Sequence, residues 1–173
     1  AEQGADEILY IDTVASLYGR NQLETLLEKT CADVFVPITV GGGIGSVADA
    51  RRLFNAGADK IAVNTAALKR PALINELAEH FGSQAVVVSI EAKRHGNGWE
   101  AYMDNGRQRT GRDAITWAED TVRRGAGEIL LTSVDRDGTR RGFDVDLYIT
   151  VAPNVPVPVT ASGGCGSLEH LRS

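Results

Sequence analysis

The chain has 173 residues, 43% of them hydrophobic, with 18 Lys+Arg against 23 Asp+Glu and a formal net charge of −5. That is enough apolar material for one domain with its own core, and no run of about 18 apolar residues is present to make a membrane-spanning helix. The acidic balance disfavours a general nucleic-acid or membrane surface, so neither partner is expected and an anionic ligand must be held locally.

Short apolar runs rich in Val, Ile and Leu alternate with amphipathic stretches of helical length, the pattern of successive βα units on a parallel sheet. The first strand is read at 7–12, running into Asp12-Thr13, with a helix at 20–30. The second, at 36–41, leads into Gly41-Gly42-Gly43 and a helix at 46–56, with Ser46 as N-cap and Gly57 as the stop. A third strand at 60–65 closes on Asn64-Thr65 and precedes a helix at 71–81 stopped by Gly82. The fourth, at 85–91, ends on Glu91; the stretch from Gly98 to Gly106, with its aromatic residues and closing Asn105-Gly106, then interrupts the alternation as a small hairpin. A helix at 112–124 ends before Gly125, a fifth strand at 128–134 leads into Asp135-Arg136-Asp137-Gly138-Thr139 and a helix at 144–152, and a sixth at 157–161 leads into Ser162-Gly163-Gly164 and a helix at 167–172. No linker or low-complexity segment divides the chain, so residues 1–173 are read as a single domain.

Two segments recur at one offset. Gly4-Ala5-Asp6-Glu7-Ile8-Leu9 returns as Gly125-Ala126-Gly127-Glu128-Ile129-Leu130, and the segment from Val36 to Ser46 returns as Val157 to Ser167, each 121 residues later. Two matches at one offset mark a duplicated half-domain, and the complete unit is expected to be about twice that length. Six βα units within a duplication that implies eight point to an incomplete (β/α)8 (TIM) barrel lacking strands 1 and 8, with an open doubly wound sheet as the alternative. The chain starts on a helix-to-strand joint without a Met or a signal peptide and stops at Ser173 inside a predicted helix, so both ends are expected to fall within a larger domain.

In such a barrel the reacting groups stand at the C-terminal ends of the strands. A glycine run between strand and helix lets backbone N–H groups approach an anion, with the helix N-terminus adding partial positive charge. Gly42-Gly43 and Gly163-Gly164 are equivalent across the repeat, which reads as two phosphate cradles on opposite sides of one mouth; the first is joined by Asn64 and Thr65, the second by Asp137 and Gly138. The ligand would be a bisphosphate, and Thr132 belongs to the same binding set. A tight βα turn is the plainer alternative for either loop.

Glu91 ends the run Ala85-Val86-Val87-Val88-Ser89-Ile90, where a carboxyl among apolar neighbours holds a proton near neutral pH and serves as a general acid or base, unless it merely pairs with Lys93. Asp12 is the second catalytic candidate. Glu7, Lys60 and Glu128 occupy the fourth position of GADE, GADK and GAGE. They either meet solvent or point inward as a charged plug at the opposite end of the strands. His80, His95 and His170 lack metal-ligand spacing, and no metal site is expected. Cys31 and Cys165 are read as buried small side chains in a reducing, cytoplasmic setting.

The segments FVPITVGGGIGS, GADKIAVNTAAL, FGSQAVVVSIEAKR, GAGEILLTSVDRDGT and VPVTASGGCGS resemble the cyclase subunit of imidazole glycerol phosphate synthase, of histidine biosynthesis, over nearly the whole chain. A related phosphoribosyl sugar isomerase is a weaker match. The resemblance implies a barrel that uses ammonia from a glutaminase subunit to convert a bisphosphorylated formimino nucleotide into imidazole glycerol phosphate and aminoimidazole carboxamide ribotide, with no metal or organic cofactor. It implies phosphate contacts at Gly43, Asn64 and Thr65 and at Asp137, Gly138 and Gly164, and a partner-facing end, where ammonia comes in, at Glu7, Lys60 and Glu128. Two departures follow from it. The family's strand 1 aspartate and strand 8 phosphate loop have no counterpart here, and Glu91 stands where the family carries an aspartate. Little turnover is therefore expected of the isolated chain unless Asp12 substitutes, and the rival reading is a non-catalytic fragment that self-associates as a homo-oligomer to cover open barrel edges.

Overall fold

The computed structural model describes residues 4–12 and 21–172; Thr13, the first residue of the predicted 20–30 helix and Ser173 lie outside them. Among the described residues it contains eight strands and six α-helices: β1 (Ile8–Ile11), α1 (Asn21–Asp33), β2 (Ile38–Gly41), α2 (Val47–Asn55), β3 (Lys60–Val63), α3 (Thr65–Lys69), α4 (Ala72–Phe81), β4 (Val86–His95), β5 (Gly98–Met103), β6 (Gln108–Asp113), α5 (Ala114–Arg123), β7 (Glu128–Ser133), α6 (Val145–Val151) and β8 (Val159–Ser162). Six strands pair in parallel in the order β1-β2-β3-β4-β7-β8, while β5 and β6 form an antiparallel hairpin on the distal half of β4. Among the described residues β1 and β8 each pair on one side only.

The duplication is written into the pairing register. Ile8 to Ile11 of β1 lie opposite Ile38 to Gly41 of β2, and Ile129 to Thr132 of β7 lie opposite Val159 to Ser162 of β8, the same partners 121 residues later. Even the entry bond is repeated: Ile8 N–H donates to the Pro37 carbonyl at 2.9 Å, and Ile129 N–H to the Pro158 carbonyl at 3.0 Å. Ser46 and Ser167 share φ −153° and ψ 163°. The hydroxyl caps a helix at Ser46, accepting the Asp49 N–H at 3.2 Å, and Ser167 makes no such bond. The predicted 167–172 helix is correspondingly only a 3-10 turn at Leu168–Leu171.

Alternation along each strand creates two faces. Val40, Ile61, Val86, Val88, Ile90, Ile129 and Leu131 form one continuous core with Leu27, Leu53, Leu73, Leu77, Trp117 and Leu147 from the helices. Each fully buried aliphatic side chain there contributes about 1.5–3 kcal/mol. The opposite, inner face carries a separate small cluster of Ala62, Val87 and Leu130. Gly127, in the second copy of the repeat, lets the segment before β7 pass close to the turn that precedes β4, since a Cβ there would lie 2.2 Å from the Ser83 carbonyl oxygen.

The hairpin departs from expectation. Asn105-Gly106 lies in the turn between β5 and β6 rather than closing the element, and β6 takes Arg112 and Asp113 from the start of the expected 112–124 helix. The fourth strand continues to His95 because β5 offers it a second ladder beyond Glu91, with Glu91 opposite Tyr102 and His95 opposite Gly98. The short α3 was not anticipated either. Cys165 is exposed rather than buried, and Cys31 is half-buried. Among the described residues no helix is long and apolar enough to cross a membrane.

Candidate functional site

The inner face is layered. At the strand N-terminal ends the Lys60 ammonium donates to Glu7 at 2.9 Å and to Glu128 at 2.8 Å. The Thr160 hydroxyl donates to the other Glu128 oxygen at 2.8 Å, and the Thr39 hydroxyl donates to Glu7. Glu7 and Glu128, like Thr39 and Thr160, are equivalent across the repeat, so Lys60 sits at the centre of a symmetric network that joins five strands. The inward alternative holds. Burial alone would raise the Glu7 pKa, but the Thr39 hydroxyl and Lys60 lower it overall; burial likewise opposes, and the two glutamates outweigh it, in raising that of Lys60.

Above the Ala62, Val87 and Leu130 layer opens a cavity of about 380 Å³. Asp12, Gly42, Gly43, Asn64, Thr65 and Glu91 all line it, so the first cradle and both carboxylate candidates meet at one place. The chain is locally committed to this geometry. Asp12 N–H donates to the Gly41 carbonyl at 2.8 Å, and at Gly42, φ +112°, a Cβ would lie 2.3 Å from the Asp12 carbonyl oxygen. The cradle loop is braced by its own helix through Asp49, whose carboxylate accepts the Gly45 N–H at 3.0 Å and an Arg52 N–H at 2.8 Å.

Glu91 is half-buried, and its carboxylate accepts the Gly106 N–H at 2.7 Å. Burial pushes its pKa up, the negative charges of Asp104 and Asp137 add to the rise, and the Gly106 N–H and the nearby Asn64 oppose it without cancelling it. Lys93 lies over the Tyr102 ring, 5.8 Å from its centroid, rather than pairing with Glu91. Asn64 is unusual in that both of its side-chain amide atoms are buried without a hydrogen-bond partner of ordinary geometry. Such groups cost free energy unless something else meets them, and here they line a cavity.

The second cradle follows β8. Its Gly163 and Gly164 have φ near +90°, at +91° and +92°. The Gly164 carbonyl accepts the Gly142 N–H at 2.8 Å, and the Gly142 oxygen lies 2.2 Å from where a Gly164 Cβ would stand. The long loop after β7 thus packs directly on these glycines. Tyr148 fastens β8 from behind, donating to the Ser162 carbonyl at 2.6 Å, its pKa pushed up to about 12 chiefly by burial and by Asp144. Asp137 and Gly138 are exposed on that loop, and Thr132 lies opposite Glu91 in the β4–β7 ladder. None of Thr132, Asp137, Gly138, Gly163 and Gly164 is among the residues that line the 380 Å³ cavity.

Sequence reasoning missed two contributors to the cavity, the Asp104–Asn105 hairpin tip and Lys69 at the end of α3. The Asn-Gly turn signal was there for the first, and the four-residue spacing from Thr65 for the second. Among the described residues no group of three or more His, Cys, Asp or Glu is arranged to hold a metal ion.

The family model described as "histidine biosynthesis protein" matches residues 1–173. Among curated proteins, the imidazole glycerol phosphate synthase subunit HisF of Legionella pneumophila is 60% identical over 171 residues, which cover 98% of this chain and 81% of that protein.

Proposed function

The chain belongs to the histidine biosynthesis protein family, and from that premise we propose that it acts as a cyclase of the imidazole glycerol phosphate synthase type. It would use ammonia to convert a bisphosphorylated formimino nucleotide into imidazole glycerol phosphate and aminoimidazole carboxamide ribotide. The observation that carries this reading is the meeting, in one cavity, of a glycine cradle with the Glu91 carboxyl, whose pKa burial raises. Gly42, Gly43, Asn64 and Thr65 bind one phosphate, and Lys69 offsets the charge of Asp12, Glu91 and Asp104 around it. Thr132, Asp137, Gly138, Gly163 and Gly164 take the distal phosphate. Glu91 gives a proton as general acid while Asp12 supplies the second carboxylate.

A titration with inorganic phosphate tests the first cradle. At a tenfold excess over Kd the melting temperature should rise by about 3–6 °C, and Gly43→Val, at φ +65°, should abolish the rise. No phosphate dependence in the parent chain would remove the binding claim.

As to architecture, the whole chain forms one domain whose six parallel strands stand as strands 2 to 7 of a (β/α)8 barrel. The end bearing Glu7, Lys60 and Glu128 takes the glutaminase subunit and receives ammonia. The one-sided pairing of β1 and β8, with Leu9 42% and Ile11 41% exposed on β1, favours coverage of these edges by a second copy of the chain. Light scattering at micromolar concentration should give a species at least twice the 18.5 kDa chain mass; a monodisperse monomer would refute the homo-oligomer.

A further inference from the structure

The tip of the β5–β6 hairpin touches both halves of the candidate site. The Asp104 N–H donates to the Thr65 hydroxyl at 3.0 Å, on the cradle side. Two residues on, the Gly106 N–H donates to Glu91 at 2.7 Å. Asp104, Asn105 and Gly106 all have positive φ, at 55°, 55° and 71°, a run that aims successive N–H groups along one side of the turn. Val134, on the loop after β7, backs the turn so closely that a Gly106 Cβ would lie 3.0 Å from its Cγ1.

We infer that the Asp104–Gly106 tip is a positioning element that holds the Glu91 carboxyl and the Thr65 hydroxyl in one fixed relation across the cavity. Part of this inference rests on the function proposed above, which makes Glu91 the proton-transfer group and Thr65 a phosphate contact. The physical argument is that two donors on one turn serve two acceptors on different elements, Thr65 at the start of α3 and Glu91 on β4, so displacing either anchor disturbs the other. The charged groups that bear on Glu91 are Asp104 on the hairpin and Asp137 on the loop after β7. Its own strand sends Lys93 over Tyr102.

The deciding measurement is the titration midpoint of the Glu91 carboxyl, followed by carbon NMR in the full chain. Gly106→Val should raise it, because a side chain at φ +71° against Val134 shifts the turn and draws away the N–H that favours the carboxylate. Thr65→Val, which never touches Glu91's own bond, should raise it as well by loosening the shared tip, whereas Thr65→Ser, which keeps the hydroxyl, should behave as the parent. Gly96→Ala is the control for backbone strain, at φ +57° with open space around it, and should leave the midpoint in place. An unmoved midpoint in Thr65→Val overturns the inference, as does an equal shift in Gly96→Ala or in Thr65→Ser. In the cyclisation assay Thr65→Val should also lower kcat by about tenfold, beyond any change in KM. An inactive parent chain would count against the proposed function and not against the clamp, which the carboxyl titration reads by itself.

Discussion

Glu91→Gln is expected to lower cyclisation turnover by about 10²–10⁴-fold, the usual worth of a positioned general acid or base, and at the same time to make the protein more stable. Glutamine keeps an oxygen for the Gly106 N–H and removes a charge that burial, Asp104 and Asp137 all disfavour. The sign follows from linkage. Because the folded-state pKa lies above its ordinary value, the unfolded chain loses this proton first as pH rises, and the penalty on folding is complete only above the folded-state pKa. The stability gain of Glu91→Gln should therefore be largest at neutral and alkaline pH and vanish below about pH 4, where both states are protonated. Thermal melts at several pH values check the stability arm, and steady-state kinetics with ammonia the catalytic one. Turnover within about threefold of the parent would remove Glu91 from proton transfer, and a variant less stable at pH 8 would contradict the account of its environment.

Lys60→Met should cost about 1–3 kcal/mol, or about 3–9 °C in melting temperature, through the mutual repulsion of two carboxylates left without their counter-charge. The side chains of Lys60, Glu7 and Glu128 are 25%, 35% and 17% exposed, which keeps the effect below that of a fully buried pair. Glu7 is depressed, so its contribution is present above the ordinary glutamate range and is lost as pH falls through the lowered value; Lys60 is raised, so its contribution is present below the ordinary lysine range and is lost as pH rises through the raised value. The difference between parent and variant should be flat across neutral pH and shrink at both extremes. Guanidinium-free thermal melts, repeated at high salt, measure it. Equal stability of the two proteins at neutral pH would mean that the network contributes position and not free energy.

The sequence by itself determined the parallel α/β layout and its duplication. The alternation Val86-Val87-Val88-Ser89-Ile90-Glu91, the N-cap at Ser46 and the stops at Gly57, Gly82 and Gly125 are local signals, read within one turn or one strand. A repeat at a fixed offset carries its own pairing with it, which is why β1–β2 and β7–β8 share one register. Glu91, Asp12 and the first glycine cradle were legible for the same reason, since each ends an apolar run. Only the tertiary structure decided what depends on a neighbouring strand. Gln108 to Asp113 has no apolar alternation and is almost wholly exposed, and it becomes a strand because β5 supplies the ladder. Glu7, Lys60 and Glu128 turn inward because strands two apart share the parity of their side chains, a property of register that no single run records. Gly164 is met by the loop after β7, a contact between segments that the repeated glycine motif does not announce. The hairpin tip reached Glu91 and Thr65 by the same kind of pairing across distant segments, in which hydrogen-bonding partners 15 and 39 residues apart are chosen by topology rather than by local propensity.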